Sequence, residues 1–214
     1  PALAPTVRTS FGRKAMRGAY ELAAINAVLD AAMICQIGYV ADGQPKVLPT
    51  IFWREGDAVY WHGSRESGAI KAMAGAEVCF TVTLLDALVL AKSAFAHSAN
   101  YRSVMAYGRS EPISGEAEKA TALKAMIGRI HPGRWPQIRP PSRAELAATS
   151  VLRLALTEAT AKSRTGPPLD IKPDPKAPAW TGVIPLKTHV GEPELVGILE
   201  PDAEGPQSPA WLVG

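Results

Sequence analysis

Residues 34–62 read ICQIGYVADGQPKVLPTIFWREGDAVYWH, and this stretch decides the fold. Ile34 to Val40 is rich in β-branched and aromatic residues and ends at Asp42-Gly43, a pair that tolerates the positive φ angles of a two-residue hairpin turn. Val47 to Trp53 is a second such run, Glu55-Gly56-Asp57 its turn, and Ala58 to His62 a third. Three strands joined by tight turns predict an antiparallel meander.

Working outward, residues 1–18 are rich in Pro, Thr, Ser, Gly and Arg and read as an extended arm. Between Tyr20 and Met33, Leu22, Ile25, Val28, Leu29 and Ala32 recur at helical spacing, which predicts an amphipathic helix. Beyond the meander come a short helix at 67–74 and strands at 78–84 and 88–93. A further strand runs from Tyr101 to Tyr107 and on to Glu111. Residues 116–130 form a second helix with acidic residues in its first turn, as the helix dipole prefers, and Pro132-Gly133 ends it. Ala144 to Thr149 is a helical turn. Val151 to Ala161 alternates with period two, the pattern of one strand with one buried face.

Pro167, Pro168, Pro173, Pro175 and Pro178 make a stiff connector, and Trp180–Leu186 closes the domain as a short apolar segment. The expected organisation is an arm (1–18), a domain (19–187) with a helical insertion near 116–149, and a C-terminal tail (188–214). About seven strands with few helices fit a mainly β fold, a small closed or split β-barrel. A two-sheet sandwich is the competitor.

The chain has 214 residues, 47% of them hydrophobic and 20% charged, enough for one well-buried core. A net charge of +3 without any long basic run argues against a nucleic-acid partner and leaves room for a single anionic pocket. The two cysteines, Cys35 and Cys79, each lie in an apolar stretch and read as free thiols, with no metal-ligand spacing. No run approaches the roughly 18 apolar residues of a membrane span, so no membrane partner is expected and the cytoplasm is the expected location.

Four groups of residues can carry chemistry. The meander brings Pro49-Thr50-Ile51 beside Trp61-His62-Gly63-Ser64. A proline inside a strand removes a ladder donor and belongs at an edge or bulge, where a flat ligand can bond to freed backbone groups; an ordinary edge strand is the plain alternative. Ser64 to Lys71 forms a turn of small residues opening a helix, with Lys71 within reach of an anion, or else Ser67 simply caps that helix. In His97 to Gly108, alternation puts Tyr101, Ser103 and Met105 on one face and Arg102, Val104 and Ala106 on the other. His97 reads as a strand-end histidine with a backbone partner. Trp180 is a core plug on residue type alone, and Lys162 and Arg164 are either pocket rim or solvated surface.

The run HSxNYRSVxxxG (97–108), preceded by YWHGSxxSG (60–68), resembles the FMN-binding split-barrel flavoproteins of the pyridoxamine 5′-phosphate oxidase-like superfamily. The branch it resembles includes nitroimidazole-reductase-like proteins. That resemblance implies one FMN per subunit at the interface of a homodimer, with FAD or a deazaflavin as substitutes. In such proteins the strand matching Pro49–Ile51 addresses the pyrimidine edge of the flavin, flanked by Trp61, His62, Gly63 and Ser64. The turn at Ser67 and Lys71 holds the phosphate, although Gly68 stands where relatives often carry a basic residue. Tyr101 and Ser103 line the phosphate or ribityl side. Arg102 is a second phosphate ligand or a dimer salt bridge, and Trp180 covers the dimethylbenzene edge from the other subunit. His62 is the candidate catalytic proton donor. The implied function is a flavin-dependent oxidoreductase with a small-molecule substrate and an electron donor. A flavin carrier or sensor and a haem-binding or haem-degrading protein on the same barrel are the alternatives.

Overall fold

The computed structural model describes residues 1–12, 14–169, 178–192 and 194. Strand β1 (Gly18–Ala19) leads into helix α1 (Leu22–Asp30), whose buried residues are Ile25, Val28 and Leu29. The helix is shorter than the apolar periodicity predicts because Ala31 to Met33 turn directly into the sheet. Strands β2 (Ile34–Ala41) and β3 (Gln44–Glu55) meet at Asp42 and Gly43 with φ of 54° and 70°, the left-handed pair that a tight hairpin needs. A second hairpin at Gly56 leads to β4 (Ala58–Ser64).

Helix α2 (Gly68–Met73) begins behind Ser67, whose hydroxyl accepts the Ile70 N–H. The apolar run after it is one strand, β5 (Glu77–Leu90), where the sequence predicts two. Asp86 is accommodated in a bulge between Leu85 and Ala87, so pairing with β6 (Ser98–Arg109) resumes on the far side. After β7 (Glu111–Pro112) comes the helical layer, α3 (Glu116–Ile130) at its predicted bounds and α4 (Arg143–Ala148). A capping box starts α4: Ser142 accepts the Glu145 N–H and the Glu145 carboxylate accepts the Ser142 N–H. The segment read as one strand over 151–161 is two, β8 (Thr149–Ala155) and β9 (Ala159–Arg164), because the chain turns at Leu156 to Glu158. Short β10 (Gly182–Pro185) pairs with β5.

All the strand pairings are antiparallel, in the order β1-β9-β6-β5-β2-β3-β4-β8-β7, with β10 off that path. The Tyr107 N–H donates to the Glu158 carbonyl at 2.9 Å, which extends the β6–β9 ladder to the turn joining β8 to β9. Residues 1–10 brace this seam. Arg8 ion-pairs with Glu158 and with Glu77, and the Thr6 hydroxyl donates to Glu158. Inside the barrel lie Phe52, Trp61, Phe80, Val82, Val104, Leu152 and Leu154, each at most 1% exposed. A second cluster forms on the outer face of β3, β4 and β8, where α3 covers Trp53 and Val151 with Ala122 and Met126. The split β-barrel expected from the meander is the observed architecture. Most of the C-terminal tail assigned to 188–214 lies outside the described residues.

Candidate functional site

The first site is made by backbone. Residues Ile34–Ala41 of β2 pair with β3 from Gln44 to Ile51, whereas β3 pairs with β4 only from Phe52 to Glu55. At the Ile51–Phe52 step β3 therefore changes neighbour. Continued register would set Ile51, Thr50 and Pro49 opposite His62, Gly63 and Ser64, but the two strands have parted and β4 goes on with β8 alone. Pro49, predicted to mark an edge, sits beside this opening. The gap offers a flat ligand one strand edge on each side.

His62 lies at the rim of the gap on the outer face of β4. Its ring is 6.1 Å from that of Trp53, which stacks in turn on Tyr60 at 5.8 Å. Burial pushes the imidazole pKa down, so the ring is neutral at pH 7. Its Nδ1 is buried and has no hydrogen-bond partner among the described residues. Trp61, expected at the cofactor, points the other way: it is fully buried in the barrel core and is part of the wall behind the site. Gly63 is required by packing, since a Cβ there would lie 2.7 Å from Ile70 Cγ1 of α2.

The turn after β4 shows both readings of its serines. Ser67 caps α2, and the Ser64 hydroxyl accepts the Glu66 N–H at 3.2 Å. Lys71 is not a free cation, because its ammonium contacts the Glu66 carboxylate at 2.7 Å and holds that carboxyl below its ordinary pKa. Arg102 is paired likewise: its Nε and guanidinium nitrogens donate to both oxygens of Asp86, at 3.0 and 2.7 Å, across the β5 bulge.

The two cations do not converge within the chain. The Ser110 hydroxyl donates to the Met73 carbonyl at the end of α2, and eight residues of β6, about 26 Å of extended chain, separate Ser110 from Arg102. Tyr101 and Ser103 share the outer face of β6, as alternation predicts, opposite Leu85 and Thr83. The Ser103 hydroxyl donates to the Lys162 carbonyl at 3.2 Å.

Arg164 departs most from its expected surface role. It is only 7% exposed, and its guanidinium donates to the Asn100 side-chain oxygen and to the Gly166 and Pro167 carbonyls, with no carboxylate among these partners. Nothing in the sequence around it signals burial. Trp180 is 63% exposed, so it is not a core plug; its indole lies over Gly182, where a Cβ would come within 2.7 Å. Cys35 and Cys79 are free thiols, and burial pushes Cys35 up to about 12. Among the described residues no cluster of His, Cys, Asp and Glu could hold a bare metal ion, and no helix is long and apolar enough to cross a membrane.

Comparison with known proteins bears on this arrangement. No curated protein matches the sequence. Among solved structures, the chain is 42% identical to the flavocytochrome Anf3 from Azotobacter vinelandii, covering 99% of this chain and 97% of that one, with a TM-score of 0.89. It is 34% identical to an FAD- and haem-binding protein from Mycobacterium smegmatis, covering 89% and 94%, with a TM-score of 0.84. A protein provisionally assigned to 5-nitroimidazole antibiotic resistance from Bacteroides thetaiotaomicron shares the fold at 23% identity and a TM-score of 0.56, over 68% and 86% of the two chains. The family model described as pyridoxamine 5′-phosphate oxidase matches residues 21–163, from the start of α1 to within β9. That match takes in β2 to β8 and nearly all of β9, and the chain belongs to the pyridoxamine 5′-phosphate oxidase family.

Proposed function

We propose that this chain binds a flavin in the gap between β3 and β4, carries a haem on the same fold, and works as an electron-transferring oxidoreductase. The parting of β3 from β4 carries the reading, because it leaves two strand edges facing a slot at the position where Pro49 already lacks an N–H. Support for two cofactors comes from the relatives at 42% and 34% identity, one a flavocytochrome and the other an FAD- and haem-binding protein.

FAD suits this chain better than FMN. An FMN phosphate at the Ser64–Ser67 turn would draw on Lys71, which already has a carboxylate partner, while Arg102 lies far along β6 and pairs with Asp86. FAD spreads its charge over a diphosphate and adds an adenosine with its own contact surface. A flavin supplies hydride or one-electron chemistry when bound. The edges of Pro49–Ile51 and His62–Ser64 would orient the ring, and the Ser64–Ser67 turn would meet the phosphate end. The Trp53–Tyr60–His62 row under α3 keeps water from that side. His62, neutral at pH 7, holds its proton on one ring nitrogen and can donate it as a hydrogen bond to a ligand acceptor.

A second copy of the chain would cover the outer face of β2, β3, β5 and β6. There Ile34, Val40, Val47 and Leu85 are exposed and no helix of this protomer packs. Trp180 is free to reach across such an interface.

The test is the absorption spectrum of the purified protein, followed by mass analysis of what acid releases. Flavin bands together with a Soret band, and a released mass of FAD, are expected. A released mass of FMN would restore the simpler phosphate reading. A protein that takes up neither flavin at saturating concentration would refute the gap as the site.

A further inference from the structure

Residues 119–144 contain Lys119, Lys124, Arg129, Arg134, Arg139 and Arg143 and no Asp or Glu. The whole chain carries 23 basic and 20 acidic residues, so this stretch is far more basic than the rest. Two of its cations are offset by carboxylates outside it: Arg139 pairs with Glu145 at 2.6 Å and Arg143 with Glu116 at 3.5 Å. Lys119 donates to the Leu146 and Thr149 carbonyls, each at 2.9 Å, and Arg134 to the Gln137 side-chain oxygen at 3.0 Å. Those partners are neutral and leave the charge uncancelled. Lys124 and Arg134 are exposed.

The same contacts fix where this basic lobe stands. Lys119 ties the start of α3 to Thr149, the register partner of Ser64 at the end of β4. Arg129 ties the other end to the Asp30 and Ala32 carbonyls, just ahead of β2, whose Ile34 pairs with Ile51 of β3. Helix α3 therefore reaches from the β4 side of the gap to the β3 side. The loop at 131–142 returns from its far end to α4, where Arg143 contacts Glu116 at the start of α3. Beneath α3 the stacked Trp53 and Tyr60 lead to His62 at the rim.

The 15 residues of α3 span about 22 Å, so the cations are spread over a surface and do not converge on one point. A lone phosphate or carboxylate would meet one or two of them. The acidic face of a small protein, burying about 800 Å² in a standard contact, would meet them together. We propose that residues 119–143 form the docking surface for an acidic one-electron carrier protein that reduces the flavin. The inference rests on the flavin-binding, electron-transferring reading above and adds the kind of partner that supplies the electrons. Two carriers are oxidised for each flavin reduced, and the protons come from solvent. Attraction between opposite charges speeds such encounters by about 10–1,000-fold at low salt, and the gain fades as salt screens it.

The test mixes the flavin-loaded full chain with a reduced, strongly acidic 2Fe–2S ferredoxin in a stopped-flow instrument and follows the loss of flavin absorbance. Wild type is compared with the double variant Lys124→Glu/Arg134→Glu at low and high ionic strength. The second-order rate constant should fall about tenfold or more in the variant at low salt, and the two proteins should converge as salt rises. Dithionite, a small reductant that needs no docking, should reduce both at one rate, which shows that the flavin site is intact. Calorimetric titration with oxidised ferredoxin should show a complex that the variant weakens about tenfold or more and that salt dissolves.

If ferredoxin reduces wild type and variant equally at low salt, the carrier docks elsewhere and the proposal is refuted, while the electron-transferring reading stands. If dithionite reduces the bound flavin and ferredoxin neither reduces it nor forms a complex, the lobe is not a carrier surface and the proposal is again refuted. A protein that takes up no flavin refutes the reading on which the proposal rests and takes the proposal with it.

Discussion

Gly63→Ala tests how the site is built. Gly63 lies on β4 between His62 and Ser64 and pairs with Ser150 of β8. An added Cβ would sit 2.7 Å from Ile70 Cγ1 and 3.0 Å from Cδ1, the nearer of them 0.7 Å inside the 3.4 Å at which ordinary contact begins. Ile70 is 2% exposed and has nowhere to go, so α2 must retreat from the sheet or Ile70 must leave its rotamer. Overpacking of this kind costs about 1–3 kcal/mol. At roughly 2–4 °C per kcal/mol for a chain of this size, the thermal midpoint should fall by about 2–12 °C.

The assay is thermal unfolding in a double-mutant cycle with Ile70→Ala. That substitution alone costs about 2–5 kcal/mol through its cavity, but it removes the atoms with which the new methyl collides. In the Ile70→Ala background, Gly63→Ala should therefore cost less than about 0.5 kcal/mol. Flavin affinity should drop in the single Gly63→Ala variant, as the Ser64–Ser67 turn shifts, and recover in part in the double variant. If Gly63→Ala costs the same in both backgrounds, the α2 contact does not position the turn.

Three further outcomes are expected. Burial lowers the His62 pKa, so as pH falls through about 6.5 the unfolded chain takes up a proton that the folded ring refuses, and stability is lost. His62→Leu should show a shallower loss between about pH 7 and pH 5 in denaturant titrations, and identical slopes would show that the ring is not desolvated. Glu66→Gln frees Lys71 from its ion pair, so flavin titrations should show tighter binding, whereas unchanged affinity would show that Lys71 does not face the flavin's phosphate end. Cys35, buried and with its pKa pushed up to about 12, should resist alkylation in the folded protein at pH 8 and react once denaturant unfolds it.

Local chemistry made most of the fold readable. Asp42-Gly43 and Gly56 announced their turns, and α3 kept its predicted bounds because its acidic first turn and the Pro132-Gly133 stop agree. Two readings failed for opposite reasons. The strands read at 78–84 and 88–93 are one, because Asp86 between them has its charge met by Arg102 across the ladder, a partner 16 residues away that no local window contains. Leu156 to Glu158 holds no glycine or proline, so an unbroken alternation concealed a change of strand.

At the site, Trp61 and His62 were both expected beside the flavin, but neighbours on a strand face opposite ways and Trp61 went into the core; that α3 roofs the His62 side is a tertiary fact. The ion pair between Glu66 and Lys71 was within local reach of the sequence. The burial of Arg164 was not, since its partners are backbone carbonyls and the side chain of Asn100 on another strand.

The parting of β3 from β4 also determines which experiments can detect the site. What the slot presents is peptide groups, and every residue type except proline carries the same ones. Alanine substitution of Thr50 and Ile51 would leave those groups in place and report little, so these positions would pass for inert connector, whereas Pro49→Ala would add an N–H to the edge. Swapping single amides for esters along β3 by semisynthesis, which deletes one donor and leaves the side chain untouched, is the way to make this edge visible.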